Sequence, residues 1–183
     1  MVVALPNSSD APLDEPKSEL DSHANTIVLR NRCFFFEWYG KSCTAKPFND
    51  CLGAIKDVPI IDGVIDYDFP YSHECYILQC HNALYLAIME DNLLLAFIVR
   101  ESGAIVKDTK KIHSTYTTSK DHCITFSKID MKIPLHINST FYIFHKMRPT
   151  ADEIQSCEKI LIPSNHQHCN TYCILYELNE VYM

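Results

Sequence analysis

Between positions 25 and about 148 the apolar residues come in short runs rich in strand-forming types, each closed by a polar break. IVLRNRCFFFEWY (27–39) is the first, and a cysteine-flanked loop, GKSCTAKPFNDC, follows it. AIKDVPIIDGVIDYDF (54–69), CYILQC (75–80), ALYLAIM (83–89) and LLLAFIVR (93–100) come next. AIVKDTKKIHSTYTT (104–118), HCITFSKI (122–129) and TFYIFHKM (140–147) complete a set of eight. Breaks as short as His81-Asn82, Glu90-Asp91-Asn92 and Glu101-Ser102-Gly103 join antiparallel neighbours and leave no length for crossover helices. The pattern predicts an all-β fold with one helix, built on an eight-stranded antiparallel up-and-down β-barrel.

One segment departs from this rhythm. Thr150-Ala151-Asp152-Glu153 forms a capping box, in which the Thr hydroxyl and the Glu carboxylate each take a backbone N–H that the first helical turn leaves over. Ile154, Cys157, Ile160 and Leu161 then fall on one helical face, and Pro163 stops the helix. The spacing predicts about three helical turns and then a last strand, TYCILYEL (171–178). Ahead of the runs, residues 1–24 hold three prolines and many acids, with few large apolar side chains, and read as a flexible acidic leader. Residues 25–183 are the length of a single domain.

Composition narrows the function. A net charge of −7 and the lack of a basic stripe exclude a nucleic-acid backbone as partner. Four glycines, with neither GxxxxGK[ST] nor GxGxxG, exclude a glycine-rich phosphate loop. No apolar run reaches the roughly 18 residues of a membrane helix. No strand–turn–helix sets a Cys or His at a nucleophile position, so neither catalysis nor a cofactor is expected. Nine cysteines point either to disulfides in an oxidising compartment or to metal ligation in a reducing one, and an odd count leaves at least one thiol over. The sequons at Asn7 and Asn138 lean toward secretion and glycosylation. MVVALPNSSD lacks the charged region and apolar length of a signal peptide, so the expected secreted form is a mature chain.

In a barrel, one face of the aromatic strand lines a cavity. Alternation assigns Phe34, Phe36, Trp38, Tyr76, Leu78, Tyr85, Phe97, Tyr142 and Phe144 to that lining. Such a cavity suits a sterol, fatty acid or eicosanoid held by apolar burial. A buried amine would need a carboxylate partner, and Glu37 beside Trp38 is the candidate, while Asp66 and Asp68 read as a solvated outer face. Cys75-x4-Cys80-His81 and His166-x-His168-Cys169-x3-Cys173 offer soft ligands for zinc, but neither has the CxxC spacing of a zinc knuckle, and no metal is expected.

Eight strands, a helix and a ninth strand resemble the lipocalin layout, and the local residues are similar to the tick salivary lipocalins, whose best-known members bind histamine. Ser119-Lys120-Asp121-His122-Cys123 and the Cys157 of DEIQSCEKIL match two cysteines that this family joins. Phe48-Asn49-Asp50-Cys51-Leu52-Gly53 is similar to half of a second bridge, with Cys169 or Cys173 as the other half. Phe36-Glu37-Trp38-Tyr39 keeps the lipocalin Trp without its Gly, and Tyr142-Ile143-Phe144 stands where amine-binding members carry an acid. The resemblance implies an extracellular protein of saliva. It would modulate host inflammation or immunity by sequestering a small hydrophobic or amphipathic ligand, by scavenging histamine or serotonin, or by gripping a host immune protein or cell. The segment from Tyr85 to Ala96 also resembles the hairpin of β-trefoil cytokines of the interleukin-1 kind, which implies receptor binding instead.

Overall fold

The longest alternating stretches of the chain become its longest strands. In the computed structural model, which describes residues 17–21, 25–31, 33–47, 53–69, 74–89, 91–108, 121–138, 141–145, 149–163 and 172–175, β3 (Phe34–Pro47) and β4 (Ile55–Asp68) pair antiparallel. β4 then pairs antiparallel with β5 (Cys75–Tyr85), from Ile60 opposite Leu84 to Asp68 opposite Cys75. Short spans of sequence, from Pro47 to Ile55 and from Asp68 to Cys75, join the strands of this meander. Every residue of β4 from Ile61 to Tyr67 is buried, so the middle of the strand is covered on both faces.

The free side of β5 is filled by parallel neighbours. β12 (Glu158–Ile162) runs along its first half, Glu158 beside Tyr76 and Ile162 beside Cys80. β2 (Val28–Leu29) runs along its second half. From β2 the sheet continues through β6 (Asn92–Leu95), β1 (Lys17–Asp21), β11 (Phe141–His145) and β10 (His136–Asn138), while β13 (Tyr172–Leu175) adds parallel to β3 at the other end. β7 (Ile105–Asp108), β8 (His122–Phe126) and β9 (Met131–Pro134) form a separate three-stranded antiparallel sheet. Ile124, Phe126, Met131 and Ile133 of this small sheet share one core with Ile27, Leu29, Ile61, Ile65, Leu78 and Leu94 of the large one. Ile98 and Val99 of α1 (Ala96–Glu101) join the same core.

The fold is therefore not a closed, eight-stranded antiparallel barrel. Among the described residues it is a mixed, open sheet of ten strands with β10 and β13 at its two ends, a second small sheet and two short helices. Each departure has a local cause. His81-Asn82, read as a turn between two strands, is an irregularity inside the continuous strand β5. LLLAFIVR splits into β6 and α1, because Ala96, Ile98 and Val99 are buried while Phe97 and Arg100 face out, a helical rather than a two-residue spacing. IVLRNRCFFFEWY breaks at a turn in which Cys33 N–H donates to Arg30 O (3.1 Å), giving β2 and then β3. Residues 17–21, within the segment read as a leader, form β1 with Ser18 and Leu20 buried.

The capping box is present as expected. Glu153 N–H donates to Thr150 Oγ1 (3.3 Å) and Thr150 N–H donates to Glu153 Oε2 (2.7 Å). Yet α2 (Ala151–Ser156) is half the predicted length, because Cys157 turns extended and the chain enters β12. There Ile160 and Ile162 are buried while Leu161 is 52% exposed, the two-residue period of a strand. Five backbone partners on β5 outcompete another turn of helix. Asn92, fully buried, ties the far strands together: its Nδ2 donates to Ser18 Oγ (3.3 Å), and its Oδ1 accepts from Arg30 N–H (2.8 Å). Among the described residues no helix is long and apolar enough to cross a membrane.

Two outcomes test this packing. Thr150→Ala should lower the unfolding free energy by about 1 kcal/mol, read as a lower urea midpoint at unchanged slope. The hydrogen bonds from Thr150 hold Glu153 below the ordinary carboxyl range, so the cap's contribution is present above the unfolded carboxyl pKa and is lost as pH falls through the folded one. Leu78, a wall of the expected cavity, is instead a core residue at 1% exposure, and Leu78→Ala should cost about 2–5 kcal/mol in the same measurement.

Candidate functional site

Two irregularities in the ladder face each other across β4. On the β5 side Ile61 pairs with Ala83 and Gly63 with Cys80, so His81 and Asn82 together oppose the single residue Asp62. This is a β-bulge, and Asn82 takes the left-handed φ of 50° that Asn tolerates better than most residues. On the β3 side Trp38 pairs with Ile61 and Ser42 with Pro59, which crowds Tyr39, Gly40 and Lys41 against Ile60. Gly40 supplies a φ of 68° there, and Trp38 Nε1–H donates to Lys41 O (3.4 Å).

The carboxylate of Asp62 lies between these kinks at 2% exposure. Burying a carboxylate is costly unless donors surround it. Asn82 N–H donates to Oδ1 (2.8 Å), and the Tyr39 hydroxyl donates to Oδ2 (2.6 Å). His81 Nδ1 contacts that same oxygen. In a regular ladder one β5 residue would oppose Asp62; the bulge brings two, and each gives a donor. Glu37 stands opposite Asp62 on β3. The hydrogen bond to Asp62, then burial, then the charges of Asp62 and Glu37 push the Tyr39 phenol up to about 12. Trp38 (58% exposed) and Tyr39 (43%) show their rings to solvent. Exposed rings beside two acidic side chains are a chemistry for holding a cation.

Of the predicted cavity lining, the structure brings no common wall together among the described residues. Tyr76 and Leu78 belong to the packed core, and Tyr85 packs half-buried against it. The Tyr76 hydroxyl donates to Glu74 Oε2 (3.2 Å). Phe97 is exposed on α1, and Trp38 is exposed at the β3 kink. Phe34 and Phe36 lie on β3 and Tyr142 and Phe144 on β11, with side chains outside the described residues. The lining was drawn from unbroken alternation, which the two kinks and α1 interrupt. Asp66, expected on a solvated face, is buried, whereas Asp68 is exposed as expected.

Cys123 and Cys157, joined by the family resemblance, have different neighbours. Cys123 Sγ lies 3.8 Å from Thr125 Oγ1 in the small sheet, while Cys157 packs with Cys75 against Val64, Ile77 and Ile154. Cys51 and Cys169 lie outside the described residues, as does the side chain of Cys173, which stands beside Ala45 in the β13–β3 register. Of the zinc ligands suggested by spacing, the described set Cys75, Cys80 and His81 is not gathered: Cys80 is in the core and His81 is held by Asp62. His166, His168 and Asn7 lie outside the described residues, and Asn138 ends β10. Asp62 and Tyr39 were missed by the sequence reading. The signal was there: an acid followed by Gly inside the apolar run IIDGV, and a polar pair, His81-Asn82, inside another.

The Tyr39–Asp62 bond is open to spectroscopy. A phenolate absorbance titration should find one tyrosine ionising near 12. Asp62→Asn should return it toward the ordinary value of about 10, and an unchanged titration would break the assignment. Because the folded phenol has the higher pKa, its contribution to stability is complete below about pH 10 and is lost as pH rises through about 12.

No family model, curated protein or solved structure matches this chain, so its fold and its site rest on the residues themselves.

Proposed function

We propose that this protein is a binding protein whose Glu37–Trp38–Tyr39 face takes an arginine or lysine side chain of a protein partner. The observation that carries this reading is the exposed Tyr39 ring, whose hydroxyl is bonded to the buried Asp62 carboxylate, with the exposed Glu37 and Trp38 preceding it on β3. A guanidinium or ammonium over an aromatic face gains about 0.5–1 kcal/mol at an exposed site, and a nearby carboxylate adds to it. A net charge of −7 steers cationic partners toward the protein over a longer range. Trp, Tyr and Arg are also the residues that carry most binding energy at protein interfaces.

Sequestration of a sterol, fatty acid or eicosanoid requires an enclosed apolar lining, and of the described residues assigned to it Tyr76 and Leu78 are packed in the core while Trp38 and Phe97 are exposed. The amine reading survives in part, since Glu37 stands beside two rings. An open strand face covers a free small amine on one side only, whereas ligand sites usually enclose most of the ligand. A protein partner supplies the missing cover from its own surface, which favours a side chain over a free amine.

Trp38 is the one tryptophan of the chain, so its emission reports directly on this face. Titration with a hexa-arginine peptide should change that emission saturably, and a hexa-glutamate peptide should not. Glu37→Gln should weaken the arginine response by about two- to fivefold, the worth of an exposed ion pair, and added salt should weaken it further. Equal responses to both peptides, or none to either, would end this reading.

A further inference from the structure

The opposite end of the β4–β5 ladder gathers a different set of groups. Asp68 pairs directly with Cys75, and Asp66 lies two residues back on the same face of β4. A carboxylate oxygen from each and Cys75 Sγ all lie within 4.8 Å of one another. β12 enters alongside β5 with Glu158 beside Tyr76. That register sets Cys157, one residue earlier, next to Cys75. Val64, Ile77 and Ile154 pack around both, so one side of the cluster is dry.

Three groups that are anionic when ionised thus share one spot, and Cys157 adjoins it beside Cys75. Asp66 is buried, Cys75 and Cys157 are half-buried, and Asp68 is exposed. A divalent cation bound here replaces the two thiol protons, which leave to solvent, and offsets the crowded negative charge.

We propose that Asp66, Asp68, Cys75 and Cys157 form a zinc site. Two thiolates and two carboxylates are a four-ligand set suited to zinc, whereas magnesium and calcium favour oxygen alone. Tetrahedral ligands at about 2.0–2.3 Å from zinc stand roughly 3.3–3.8 Å apart. Asp66, Asp68 and Cys75 therefore need a contraction of about 1 Å, within reach of the exposed Asp68 side chain, and Cys157 must close in from beside Cys75. The ligands come from β4, β5 and the junction of α2 with β12, so the ion would staple two consecutive strands to an element far along the chain. This site is independent of the cation-binding face at Trp38 and differs from the Cys75–Cys80–His81 set that spacing alone suggested.

The test uses the full chain, reduced and freed of metal. One equivalent of cobalt(II) should produce a thiolate-to-cobalt charge-transfer band and the visible absorption of a tetrahedral ion, both displaced by zinc. Cys157→Ser should abolish the charge-transfer band or reduce it clearly. Asp68→Asn, a change at an exposed position that spares the fold, should weaken zinc by more than the roughly tenfold that even supporting residues cost. Cys43→Ser, on β3 and away from the cluster, should leave both readouts unchanged. Lack of a thiolate band would overturn the site, as would a band and affinity indifferent to Cys157→Ser and Asp68→Asn. A tryptic map of protein prepared without reductant that joined Cys75 to Cys157 would overturn it as well, since a disulfide leaves no thiolate to bind.

Discussion

β5 needs hydrogen-bond partners on both of its edges along its whole length, and the architecture is arranged around that need. A buried strand with one bare edge would leave a row of N–H and C=O groups without water or protein, each costing free energy comparable to a lost hydrogen bond. β4 covers one edge from Cys75 to Leu84. The other edge is shared, β12 taking residues 76–80 and β2 taking Leu84 and Tyr85. Because those two partners come from the ends of the described chain, satisfying β5 draws residues near 28 and near 160 to the same strand. Long-range closure of this kind is paid for in chain entropy and returned through the apolar core that the strands then share.

Both chemical clusters are consequences of this ladder. At its middle, the extra residue in β5 and the crowded residues in β3 kink the strands on either side of Asp62, so a buried carboxylate gains donors from both neighbours. At its start, the direct pairing of Asp68 with Cys75 and the parallel entry of β12 bring two acids and two thiols together. The first cluster is rich in donors toward its acid and exposes rings; the second is crowded with acids beside a thiol. One cluster therefore offers a surface for a cationic side chain, and the other offers ligands to a bare ion.

Buried polar groups elsewhere serve register rather than chemistry. Asn92 sits in the core yet has its amide engaged on Ser18 and Arg30, which fixes β1 and the exit of β2 against β6. A shift of one residue would leave that amide unsatisfied and move the alternating apolar set to the wrong face. On the small sheet's side, Arg100 of α1 donates to Asp108 Oδ1 (2.7 Å) and to Val106 O (3.3 Å), anchoring the helix on β7.

Local order was legible where a segment decides its own conformation. The run 54–69 predicts β4 within a residue at each end, and Thr150 with Glu153 predicts the start of α2, because alternation and capping depend on neighbours in sequence. Glu37 and Trp38 were singled out from residue type alone, and they stand at the candidate site. Partnership was not legible. Whether 93–100 stays a strand, whether 158–162 continues a helix, and whether His81-Asn82 turns or bulges depend on which edge is free to accept hydrogen bonds. The sequence by itself determined a β-rich chain with strands near 55–68 and 75–80, a capped helix at 150 and an acid beside the single tryptophan. Only the tertiary structure decided the open mixed sheet, the parallel partners of β5 and the meeting of Tyr39, Asp62 and His81. Strand pairing is a competition among distant segments for the same backbone groups, and periodicity within one segment carries no record of its outcome.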